Sequence, residues 1–74
     1  MSEIEHLVQA DQHIADAERR ITEQEHRVAE LEAAGHETAE GKRLLELFRE
    51  TLVQLEIHRD AIIAALQSPI TRGA

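Results

Sequence analysis

The feature that most constrains this chain is a pair of seven-residue apolar repeats on either side of one glycine. The first repeat, with spacings of three and four, contains Leu7, Ala10, Ile14, Ala17, Ile21, Gln24, Val28 and Leu31. The second repeat has the same spacing and contains Leu45, Phe48, Leu52, Leu55, Arg59, Ile62 and Leu66. This spacing places each repeat along one side of a helix, where another helix can cover it. Two such repeats around Gly35 predict an all-α fold, an antiparallel two-helix coiled-coil hairpin.

Local signals indicate where the two helices begin and end. Ser2 and Glu5 have the spacing of a capping box at the start of a helix. Gly35 is suited to end that helix, and Thr38 is suited to be the N-cap of the next one. Pro69 ends the second helix, because it disfavours helical geometry in the preceding residue. The predicted bounds are about 3–34 for the first helix, 35–38 for the turn and about 39–67 for the second helix, within one domain of residues 1–69 followed by a flexible tail at 70–74.

A fold at Gly35 also predicts which residues face one another. Glu25 falls near Arg49, a favourable pair at the edge of the seam. Glu18 falls near Glu56, which is unfavourable unless a basic side chain comes between the two carboxylates. The charges beside the seam therefore support this pairing in one layer and oppose it in another.

Three residues stand out because they interrupt the apolar seam. Gly41 is predicted opposite Leu31, where a missing side chain lets the helices approach. Gln24, opposite Phe48, and Arg59 are polar residues at inner positions, and such residues can set the register and the number of partners. A guanidinium there must reach solvent or find a carboxylate, for which Asp11 and Glu18 are the nearest candidates. The alternative is that Arg59 simply extends to water and is tolerated.

Composition excludes several classes of partner and site. The 74 residues include 15 acidic and 8 basic side chains, for a net charge of −7, which argues against binding nucleic acid or an anionic membrane. There is no cysteine for a disulfide or a thiolate metal site, and the single aromatic residue is Phe48. No apolar run approaches the roughly 20 residues of a membrane span. We therefore expect a cytoplasmic protein without a cofactor.

The second helix carries more apolar residues than one hairpin can cover. A helix with two apolar faces is normally buried on both, so the simplest expectation is a homodimer in which two hairpins form a four-helix bundle. The alternative is that these residues are ordinary exposed aliphatics. The predicted interface consists of Leu47, Val53, Ile57, Ile63 and Ala64 on the second helix, with Ile4 and Val8 on the first.

Five histidines raise the question of metal binding or phosphotransfer. His13 and His58 come close across the predicted hairpin and are weak candidates for a zinc site. The chain lacks the Glu-x-x-His pairs of di-iron bundles and the His-Glu-x-x-His motif. An exposed bundle histidine could also accept a phosphoryl group, but most long helices contain a histidine. No nucleophile, base and orienting group occur together, so we do not expect an enzyme.

Several short stretches resemble a group of small, uncharacterised bacterial helical-hairpin proteins. The shared layout is A-D-x-H-I, E-R-R-I, G-H-x-T and H-R, and here it corresponds to residues 10–14, 18–21, 35–38 and 58–59. The resemblance covers nearly the whole chain. It implies a free-standing small protein or a short module, and it implies no activity, ligand or site residue.

The sequence thus favours a noncatalytic, acidic helical module that associates with itself and serves in protein interaction or scaffolding. The first alternative is an adaptor whose second helix binds a helical signalling protein. The second alternative is a histidine-based bundle for metal binding or phosphotransfer.

Overall fold

A computed structural model describes residues 2–68, which form an antiparallel hairpin of two α-helices. Helix α1 spans Glu3–Ala33 and helix α2 spans Ala39–Leu66. The two helices pack against each other along their length, which confirms the all-α hairpin. Each helix ends one residue before the end that the sequence indicates. The predicted tail at residues 70–74 lies outside the described residues.

The capping box at the start of α1 is present. The Ser2 hydroxyl accepts a hydrogen bond from the Glu5 amide at 3.1 Å, and the Ser2 amide donates to Glu5 Oε1 at 2.8 Å. The hydrogen bond from the Ser2 amide, and after it one from the Ser2 hydroxyl, lower the pKa of the Glu5 carboxyl. Two amides that have no partner within the helix are therefore satisfied by side chains.

The turn begins with a Schellman motif at Gly35. The Gly35 amide donates to the Glu32 carbonyl at 3.0 Å, and the His36 amide donates to the Leu31 carbonyl at 2.9 Å. Gly35 has a φ of 79°, in the left-handed region where a side chain would be strained. The glycine therefore ends α1 and reverses the chain, as predicted.

The N-terminus of α2 is capped by a different residue from the one predicted. The Thr38 side chain makes no capping hydrogen bond, and the residue has φ −122° and ψ 6° instead of the extended geometry of a typical N-cap. Glu37 Oε1 accepts from the amides of both Thr38 and Ala39, each at 2.9 Å. Thr38 thus occupies the predicted N-cap position, but the prediction that its side chain caps α2 is wrong; the Glu37 carboxylate binds the Thr38 and Ala39 amides instead.

The core of the hairpin is thin and lies mainly on the α1 side. Its buried hydrophobic residues are Ala10, Ile14, Ala17, Val28 and Leu45. Leu45 is the one buried residue that α2 supplies; the later members of its repeat are half-buried, and Leu66 is 40% exposed. The prediction of an inner position for Leu66 is therefore wrong in part, because α2 ends at this residue and the helix pair goes no further.

Gly41 lets the helices approach next to the turn, but not against the predicted residue. A Cβ atom at this position would lie 3.1 Å from Val28 Cγ2 and 3.4 Å from Gln24 Nε2. Val28 and Gln24 thus fill the space left by the missing side chain, and the predicted pairing with Leu31 is wrong.

Candidate interaction face and histidine groove

One flank of the hairpin carries a ladder of ion pairs near the turn. Lys42 Nζ lies 2.8 Å from Glu32 Oε2, and Arg49 Nη2 lies 2.9 Å from Glu25 Oε2. The predicted pair between Glu25 and Arg49 is therefore confirmed. The hydrogen bond to Glu32 raises the pKa of Lys42. The members of each row are seven residues apart, so they share one flank of their helix.

The next residues in these two rows do not form an ion pair. Seven residues from Glu25 is Glu18, and seven residues from Arg49 is Glu56. Neither carboxylate has an ion-pair or hydrogen-bond partner among residues 2–68, and Glu56 is half-buried. Two like charges thus follow two favourable pairs, as the sequence indicates, and no basic side chain of the described chain compensates them.

Arg59 follows Glu56 by three residues on α2, but it contacts two other acids. Arg59 Nη1 lies 3.9 Å from Asp11 Oδ1, and Nη2 lies 3.5 Å from Asp60 Oδ1. Both distances exceed the 2.7–2.9 Å of the other ion pairs, and Arg59 Nε is buried without a hydrogen-bond partner. The guanidinium therefore finds the predicted Asp11 and still lacks an acceptor, which is costly for a partly buried charged group.

Gln24, the other polar residue of the seam, makes a specific contact across the hairpin. It is buried, with 8% of its surface exposed, and its Nε2 donates to the Gly41 carbonyl at 3.0 Å. Gly41 lies two turns of α2 before Phe48, the residue that the sequence register places opposite Gln24. A hydrogen bond at this one height supports a role for Gln24 in fixing the register.

Most of the predicted interface residues are exposed in the single hairpin. Five large aliphatic side chains are half exposed or more, and Ala64 is also exposed. Ile63 is half-buried instead, so part of it already packs within the hairpin. The five exposed fractions are 64% for Ile4, 52% for Val8, 54% for Leu47, 50% for Val53 and 56% for Ile57.

Most of these side chains gather at the end of the hairpin away from the turn. Ile4 continues the acidic row of α1, seven residues before Asp11, and Ile63 continues the α2 row, seven residues after Glu56. The flank that is charged near the turn is therefore apolar at its open end. We call the following set the open-end patch: Ile4, Val8, Val53, Ile57, Ile63 and Ala64.

Leu47 and Leu44 are exposed at a different place. Both lie in the half of α2 next to the turn, and their exposed fractions are 54% and 41%. Leu44 shares its flank with Thr51 and His58, which follow it at intervals of seven residues. Leu47 therefore stands apart from the other predicted interface residues.

His13 lies on a groove between the two helices on the other flank. The groove has a volume of about 320 Å³ and an apolar floor formed by Ala17, Phe48 and Leu55. Its edge is formed by polar side chains, among which Asp16 is paired with Arg19 at 2.7 Å. His58, the other predicted zinc candidate, is not among the residues that line the groove.

Nothing in the described part of the chain assembles a metal site. Across residues 2–68, no three His, Asp or Glu side chains are grouped so that they could hold a metal ion. The approach of His13 to His58 stays a prediction. Neither helix, over the same residues, has an apolar stretch long enough to cross a membrane.

Comparison with known proteins adds no family to this geometry. No protein-family model, curated protein or solved structure matches the chain.

Proposed function

We propose that this protein is a noncatalytic helical module that associates with itself and acts in protein interaction or scaffolding. The observation that carries the proposal is the exposure of Ile57, 56% of whose surface is open to solvent, on a helix that already uses another face to cover α1. Val53 and Ala64 extend the same stripe, four residues before it and seven after it. A helix with two apolar faces is normally covered on both.

The thin core supports the same proposal. Among residues 2–68, no side chain is less than 2% exposed, and α2 supplies only Leu45 to the buried set. Small domains without disulfides or metal usually need a further source of stability, and association is one of them. A four-helix bundle of two hairpins would bury the second face of α2 against a like face.

An adaptor that binds a different helical protein is the second candidate. The observation that favours it is the net charge of −7 on each chain. Two copies with this charge repel each other, whereas a basic helix of another protein is not repelled. In this case the same α2 face would bind the partner. The mass of the purified protein in solution separates the two candidates.

The proposed function is tested with two matched variants. Ile57→Glu places a carboxylate on the second face of α2, and His26→Glu places one at an exposed position of α1. Both variants introduce the same carboxylate. We expect Ile57→Glu to weaken self-association by tenfold or more, since a buried unpaired charge is costly, and His26→Glu to have little effect. Equal, small effects of both variants, measured by sedimentation equilibrium, would contradict the proposal.

A further inference from the structure

The open-end patch surrounds a set of charges that the single hairpin leaves unsatisfied. Arg59 Nε is buried without an acceptor, and the contacts of the guanidinium with Asp11 and Asp60 are 3.9 and 3.5 Å long. One turn earlier on α2, the half-buried Glu56 has no cationic partner among the described residues. The guanidinium, on a side chain that is 33% exposed, thus has two long ion-pair contacts and lies one turn from a carboxylate that has none.

The two groups emerge on the same side of the hairpin. The contact with Asp60 turns the guanidinium toward the flank of α2 that carries Glu56 and Ile63. This flank borders the stripe of Val53 and Ile57, which are 50% and 56% exposed. The face therefore combines exposed aliphatic side chains with one unsatisfied cation and one unsatisfied anion.

Such a face is complementary to a copy of itself. In a two-fold interface the same patch is used by both chains, so each contact occurs twice. We propose that a second copy of this chain docks on the open-end patch, with Arg59 of each copy paired to Glu56 of the other. This inference rests on the proposed self-association and adds its geometry.

The geometry places α2 of one copy antiparallel to α2 of the other. If Arg59 meets Glu56 of the second copy and the reverse also holds, the two-fold axis passes between the two α2 helices at the height of Ile57 and His58. Ile57 then packs near Ile57 of the second copy, and Val53 packs near Ile63 and Ala64 of the second copy. The ionic ladder near the turn lies away from the contact.

Charge exchange between two variants tests the pairing. In the Arg59→Glu variant the side chains at positions 56 and 59 are both acidic, and in the Glu56→Arg variant they are both basic. Each variant alone therefore places like charges across the interface. In a 1:1 mixture the introduced carboxylate at position 59 faces the introduced guanidinium at position 56, and the remaining Arg59 and Glu56 also face each other. We expect each variant alone to dimerise roughly tenfold or more weakly than the wild type, and the mixture to form a heterodimer of near wild-type affinity.

Native mass spectrometry and sedimentation of the two variants, alone and mixed, give the outcome. The pairing is overturned, and self-association still stands, if the wild type dimerises but the mixture has no higher affinity than either variant alone. A wild type that stays monomeric would overturn the proposed function itself. Restoration on mixing supports the pairing, because a contact within one chain cannot be repaired by adding another.

Disulfide formation gives a second readout that does not depend on folding of the charge variants. The chain has no cysteine, so Ile57→Cys and Leu47→Cys each introduce a single thiol, at positions that are 56% and 54% exposed. Ile57 lies at the proposed axis, whereas Leu47 lies about 15 Å from it along the helix, so two copies of Leu47 are about 30 Å apart. We expect rapid oxidation of Ile57→Cys to a covalent dimer and slow oxidation of Leu47→Cys; equal rates would contradict the proposed axis.

Discussion

Gln24 Nε2 donates a hydrogen bond to the Gly41 carbonyl at 3.0 Å, across the hairpin and close to the turn. The same nitrogen lies 3.4 Å from the position that a Cβ of Gly41 would occupy. That distance is an ordinary van der Waals contact, whereas the same Cβ would be tight against Val28 Cγ2 at 3.1 Å. A polar residue and a glycine, which each weaken a helix seam separately, together form one contact that holds the two helices at a defined height.

This contact predicts the effect of filling the space at Gly41. Gly41→Leu should lower the free energy of unfolding by about 1–2 kcal/mol, because overpacking against Val28 outweighs the gain of about 1 kcal/mol in helix propensity. Ala39→Leu is the control, since it places the same side chain at an exposed position in the same turn of α2. Urea unfolding at a fixed protein concentration measures both variants. A Gly41→Leu variant as stable as the wild type would show that the helices are not closely packed here.

The cap of α2 gives a second prediction. Glu37→Ala removes the oxygen that accepts from the Thr38 and Ala39 amides, and the loss should be about 1 kcal/mol, as for other helix caps. Thr38→Val keeps the shape of a buried side chain and removes a hydroxyl that makes no capping bond, so its effect should be smaller. Thermal unfolding of the two variants measures the difference. A larger loss for Thr38→Val would restore Thr38 as the cap.

A change in the stability of the fold at high pH can be assigned to one side chain. Lys42 is the single lysine, and the chain has no tyrosine or cysteine. Its pKa is raised above the ordinary 10.5, first by the hydrogen bond to Glu32 and then by the charge of that carboxylate. A raised pKa in the folded state means that the pair contributes its stability below pH 10.5 and loses it as pH rises through the folded-state pKa.

We therefore expect the melting temperature of the wild type to fall slightly above pH 10.5. Lys42→Arg keeps a positive charge at that pH, because the guanidinium does not titrate there, and its melting temperature should stay constant over the same interval. Circular dichroism during heating, from pH 9 to pH 12, measures both proteins. Parallel curves for the two proteins would show that the pair with Glu32 does not stabilise the fold.

The sequence predicts the hairpin well because its determinants are local and periodic. The seven-residue repeats, the Ser2 and Glu5 box and the left-handed Gly35 each act within a few residues, so the pattern alone identifies them. The cap by Glu37 and the contact of Gly41 with Val28 depend on the side-chain directions in three dimensions, which the pattern does not contain. The long contacts of Arg59 with Asp11 and Asp60 depend on the same side-chain directions.

The mass of the wild-type protein in solution, measured over a range of concentrations, distinguishes a self-associating hairpin from a monomeric one. Multi-angle light scattering should give about twice the chain mass of 8.4 kDa, falling toward the monomer on dilution with a partial loss of helicity. A well-folded monomer of 8.4 kDa at every concentration, with Val53 and Ile57 in contact with water, would contradict the account.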